Sequence, residues 1–221
     1  MQKLLTISML LIAGCCASEA SIIFTLGNNP SNEVNILLNS GATGATVTGS
    51  PNGFPGVTVD FTSTETLLEP SSGQARVTAS TEGTPLTNLT VSLANGLTYD
   101  DLMINPFIGG QCPTCTGGAA TITVHALNSM GQPETPSVFT NLTVGNGNNF
   151  LTIVATGGES IVSTSISVPG GINDLRQPRI SGSFTTAITT PTPEPATYAL
   201  MLLGAVALFV IRGRLRVRSN A

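Results

Sequence analysis

Cys112-Pro113-Thr114-Cys115 is the only cysteine pair in the body of the chain, Ser21–Thr190, and its spacing points to covalent chemistry. Two thiols three positions apart can close a local disulfide, cycle as a redox pair or supply half of a zinc site. A redox pair works from the start of a helix in an α/β setting. Here Gly109-Gly110 and Gly117-Gly118 flank the pair amid β-type sequence. Zinc needs two further ligands, and His125 is the sole histidine. The expectation is a structural Cys112–Cys115 disulfide, with redox and metal roles as the alternatives and no cofactor. Its loop is too short to add much chain entropy, so it would mainly fix a Gly-rich turn.

His125 alternates with Ile122, Val124 and Ala126, which puts it on the solvent or edge side with Thr121 and Thr123. No second histidine and no nucleophile-elbow serine accompany it. Asp100 and Asp101 are adjacent, so in a strand they point to opposite faces and are no acid/base pair by themselves. One of them could join Asn or backbone oxygens around a structural calcium, but no ligand set can be named. No catalytic residue is assigned. Sugar sites that stack pyranose rings use Trp or Tyr; the body lacks Trp and has only Tyr99, and its phenylalanines suit a core. A sugar site built from hydrogen bonds of Asn, Asp and Arg stays open.

The elements that must position these residues read as β almost throughout. Apolar residues alternate at Val57, Val59 and Phe61, at Ala75, Val77 and Ala79, and at Leu89, Val91 and Leu93. Later come Val162, Ile166 and Val168, with Thr164 between. Period two gives each strand a core face and a water face. Asn52-Gly53, Glu82-Gly83, Asn95-Gly96, Gly157-Gly158 and Gly170-Gly171 punctuate the runs as turns. Ten to twelve short strands without a convincing helix predict an all-β, antiparallel β-sandwich whose spacing allows a jelly roll. Phe150–Ala155 and Ile161–Val168 read as a hairpin about Gly157-Gly158, with Leu175–Phe184 as a third strand. Thr87–Val91 and Thr140–Val144 are the identical pentapeptide TNLTV, read as two similar strands.

Both ends of the chain differ from this body. Met1 to Ala20 has one early cation, Lys3, an apolar run and then small residues, the build of a signal peptide. Cleavage after Ala20 starts the mature chain at Ser21; cleavage after Ala17 is a near alternative. Ile12-Ala13-Gly14-Cys15 also resembles a lipoprotein box, in which Cys15 would be lipidated. Between the ends, Ser21–Thr190 carries ten acidic residues and three arginines, a net charge of −7. Such a body is a poor partner for nucleic acid. Residues 191–221 follow as a Pro-rich spacer, an uncharged apolar run from Tyr198 to Ile211, and Arg212, Arg214, Arg216 and Arg218. That order predicts a single transmembrane helix of about 21 Å with its basic end held in the cytoplasm.

Pro193-Glu194-Pro195, a short apolar helix and an arginine cluster, in that order, resemble the PEP-CTERM sorting signal of Gram-negative bacteria. The resemblance implies processing by exosortase, with Pro193, Glu194 and Pro195 as the sorting motif and the four arginines as a basic stop. It also implies passage through the inner membrane to the cell surface or extracellular matrix. The N-glycosylation pattern in both TNLTV copies carries no weight in such a cell. More loosely, GNGNNFLTIVATGGESIVSTSI followed by DLRQPRISG is similar to exported PEP-CTERM proteins with a sandwich-like ectodomain. There the segment matching Gln177, Arg179 and Ile180 is one of the last strands, and Pro178 would put it at an edge or a bulge. The expected function is non-enzymatic, structural or adhesive; the second reading is a carbohydrate-binding module for exopolysaccharide.

Overall fold

The computed structural model describes residues 21–30, 32–71 and 75–184, all within one unit of the chain. The signal peptide, Cys15, the sorting motif Pro193–Pro195, the expected membrane helix and the four C-terminal arginines lie outside the described residues. Among the described residues no helix is long and apolar enough to cross a membrane.

The described chain is all-β, with thirteen strands and a single 3-10 turn at Ala94–Gly96. The strands are β1 (Ser21–Leu26), β2 (Val34–Leu37), β3 (Thr43–Pro51), β4 (Val59–Leu68), β5 (Arg76–Ala79), β6 (Leu86–Leu93) and β7 (Asp101–Ile108). There follow β8 (Gly118–Leu127), β9 (Ser137–Val144), β10 (Gly147–Asn148), β11 (Leu151–Thr156), β12 (Ser160–Ile172) and β13 (Asp174–Ser181). They pair antiparallel in the order β1-β11-β7-β13-β2-β3-β4-β6-β12-β8-β9; β10 joins β7, and β5 pairs with both β13 and β4.

The path has two halves that share one core. Leu102, Ile104, Ile153 and Leu175 come from the first half; Phe61, Val91, Ile122 and Ile166 come from the second. Burying each such side chain contributes about 1.5–3 kcal/mol. The hydroxyl of Tyr99, two residues before β7, donates to Thr164 Oγ1 on β12 at 2.9 Å. The path's two ends also meet, for Phe24 of β1 stacks on Phe139 of β9 with ring centroids 5.1 Å apart. Two short strands carry the crossing between halves. β2 pairs with β13 and β3, and β5 with β13 and β4.

Three sequence expectations need correction. Gly157-Gly158 does not close a hairpin: β11 pairs with β1 and β7, whereas β12 pairs with β6 and β8. The two glycines, both at positive φ, turn the chain from one half of the path to the other. Val162 is only partly buried, because a bulge in β12 between Ile161 and Ser163 shifts the alternation and puts Ile161 in the core. Pro178 sits at a bulge, one of the two places expected for it: the β13–β7 register shifts between Arg176 and Arg179, with Gln177 at φ 46°. Among the phenylalanines, Phe54 is 43 % exposed and meets Phe184 edge-on, so not all of them serve the core.

Candidate functional site

The polar centre of the molecule lies where β5 crosses between the two halves. Register sets Asp174 opposite Thr78 and Arg176 opposite Arg76, with Leu175 and Val77 between them pointing into the core. Two arginines opposed across a strand pair repel each other, and Asp174 offsets both. Its side chain is 1 % exposed; Arg176 donates to both carboxylate oxygens, at 2.7 and 3.1 Å, and Arg76 Nη1 lies 3.6 Å away. The Arg176 guanidinium also lies over the Phe107 ring, 3.3 Å from its centroid, a cation–π contact.

Beside this ion-pair cluster opens a cleft of about 210 Å³. Arg76, Thr78, Ser80, Glu82, Gln111, Asn173 and Asp174 are among the residues that line it. At ~30 Å³ per water, the volume suits one sugar-sized group. Asn173 is 8 % exposed and held by its backbone, its N–H donating to Phe107 O and its carbonyl accepting from Thr78 Oγ1. Its Oδ1 and the Nε of Arg76 are buried without a hydrogen-bond partner. Each such orphan group costs about 1–3 kcal/mol.

Cys112 also lines this cleft. Cys112 and Cys115 are joined by a disulfide, S–S 1.98 Å, with Cα atoms 5.3 Å apart. The closed loop places Thr114 Oγ1 to donate to Gly83 O at 3.0 Å, and Cys112 Sγ lies 3.4 Å from the same carbonyl. The pair thereby holds the Glu82–Thr84 segment against the site.

The other chemistry-bearing residues do not converge here. His125 is exposed on β8. Tyr99 is fully buried, and burial pushes its phenol pKa well up despite the Thr164 hydrogen bond, so it offers no stacking face. Asp101 begins β7 and accepts from Ser181 Oγ at 2.6 Å. Burial raises the pKa of Asp101, with Glu33 adding to the effect, and raises that of Asp100, with Asp101 adding. Among the described residues no group of three His, Cys, Asp or Glu could hold a metal ion. Sequence reasoning missed Arg76, Asn173 and Asp174, although Asp174-Leu175-Arg176 in a strand already puts acid and base on one face.

No protein-family model matches the chain, and comparison with curated proteins finds no match. Among solved structures it is similar to family 29 carbohydrate-binding modules. One is a lysine-to-alanine variant of CBM29-2 complexed with cellulohexaose: 11 % identity, 75 % of this chain and 94 % of that chain covered, TM-score 0.25. Another, an aspartate-to-alanine variant, is 12 % identical, with 79 % and 99 % covered and a TM-score of 0.23. The likeness is distant.

Proposed function

We propose that this chain is an exported, non-enzymatic β-sandwich protein that holds a neutral polysaccharide of the cell surface or matrix in the β5–β13 cleft. The observation that carries the reading is a polar cleft of about 210 Å³ lined by Arg76, Thr78, Ser80, Glu82, Gln111 and Asn173. Arg76 lines it together with Asp174 and Glu82, Arg176 is engaged by Asp174, and a body of net charge −7 repels polyanions. Both features favour an uncharged glycan. Binding fits better than hydrolysis because the buried carboxylate, Asp174, has both oxygens engaged by Arg176 and cannot act as a nucleophile or base. Two halves of one strand path packed on a single core support the sandwich architecture. Export and exosortase sorting rest on the signal-like ends of the sequence.

A structural or adhesive role is favoured by one other observation. The end strands β1 and β9 expose Ile23, Leu26 and Val138, apolar groups suited to contact between copies. An array of neutral and acidic glycans probed with the mature protein separates the readings. The cleft reading expects a specific neutral hit that Arg76→Ala or Asn173→Ala weakens about tenfold or more, equivalent to ~1.4 kcal/mol, in protein that still melts cooperatively. Uniform silence on the array, alongside self-association, would favour the adhesive role.

A further inference from the structure

Glu159 follows the Gly157-Gly158 turn and is only 5 % exposed. Both of its carboxylate oxygens are buried without a hydrogen-bond partner. Leaving a carboxylate in that condition is costly unless a cation reaches it. No ion pair to Glu159 exists among the described residues. The body offers little to make one, since it contains no lysine and three arginines. Two of these engage Asp174, and Arg179 donates to Asn35 Oδ1. Burial pushes the carboxyl pKa up, the Ser21 N–H draws it down, and repulsion from Glu134 adds to the rise.

That nitrogen identifies the missing partner. Ser21 is in register with Thr156, its carbonyl accepts from Thr156 Oγ1 at 2.9 Å, and the Glu159 N–H donates to Thr156 O at 3.3 Å. The first strand therefore ends against the turn that carries Glu159. With residues 1–20 attached, Ser21 N is a neutral amide with one proton. Hydrolysis of the Ala20–Ser21 peptide bond adds water across it, leaving a carboxylate on Ala20 and, after protonation, an ammonium with three donors on Ser21.

We propose that Glu159 is the receptor for the α-ammonium group that signal-peptide removal creates at Ser21, so that maturation itself completes the fold. The inference rests on the export reading with cleavage before Ser21. The product is a buried ion pair that locks β1 onto β11, and the precursor is less stable than the mature protein. The same carboxyl favours this start over one at Ser18 or Cys15, which would leave it unpaired.

Intact mass of the exported full-chain product tests the premise, since it gives the N-terminus and also shows whether residues 191–221 are removed. An uncleaved start at Met1 would overturn the export premise and the proposal with it; a start at Ser18 or Cys15 would overturn the proposal and leave export intact. Given a Ser21 start, the absence of lysine after Lys3 allows selective acetylation of the α-amine. Acetylation is expected to lower the melting temperature by about 5–10 °C in the wild type and to change it little in Glu159→Gln. The α-amine pKa, followed by NMR, is expected above its ordinary ~7.7–8.0 in the wild type and near it in the variant. Equal sensitivity to acetylation in both proteins, or an unshifted α-amine in the wild type, would overturn the proposal while leaving export intact.

Discussion

At the scale of single residues, buried acids of this protein differ in what surrounds them. Asp174 has two arginines; Asp101 has only the Ser181 hydroxyl and lies near two like charges, Glu33 and Asp100. Burial raises the folded-state pKa of Asp101 above the ordinary 3.8. The folded protein then holds that proton more tightly than the unfolded chain does. This contribution makes stability fall as pH rises from about 3.8 through the raised value, and the full penalty is present above it. Asp101→Asn keeps an oxygen for Ser181 and removes the charge. It is expected to raise the melting temperature near neutral pH, with the gap closing as pH falls to about 3. Melts across that range check it; a gap independent of pH would show that the charge is not the cause.

At the scale of elements, alternation located strands well where one face is wet and failed where that condition fails. β4, β5, β6 and β8 lie where Phe61, Val77, Val91 and Val124 announced them. The central strand β7 is buried along nearly its whole length, so Asp101–Ile108 has no period to read. Bulges defeat the pattern differently, by slipping parity inside a strand. Thr87–Val91 runs regularly in β6, yet the identical Thr140–Val144 carries Asn141 at φ 60° where the β8–β9 register shifts. In β12 the slip exchanges Val162 for Ile161. Ile161→Asp is therefore expected to cost several kcal/mol and unfold the domain, and Val162→Asp to cost much less. Comparable urea midpoints for the two variants would contradict the bulge.

At the scale of the whole molecule, the site is a product of topology. Arg76 and Asp174 are 98 positions apart in sequence, and β5 meets β13 only because it crosses between the halves of the strand path. A sugar site using Asn, Asp and Arg could be expected from the shortage of Trp and Tyr, but its members could not be chosen without the register. The disulfide pairing was legible from four residues; its task, bracing Gly83 at the rim, was not, because the partner segment lies 29 positions earlier. The central claim is that this cleft holds a neutral glycan. The most direct measurement is an NMR titration of the mature protein with the neutral oligosaccharide that binds best on the array, following backbone and arginine side-chain shifts. The account predicts saturable shifts centred on Arg76, Thr78, Glu82–Thr84, Asn173 and Asp174. Shifts centred instead on Phe54 and Phe184 or on the β1 and β9 edges, or none with any neutral glycan, would contradict it.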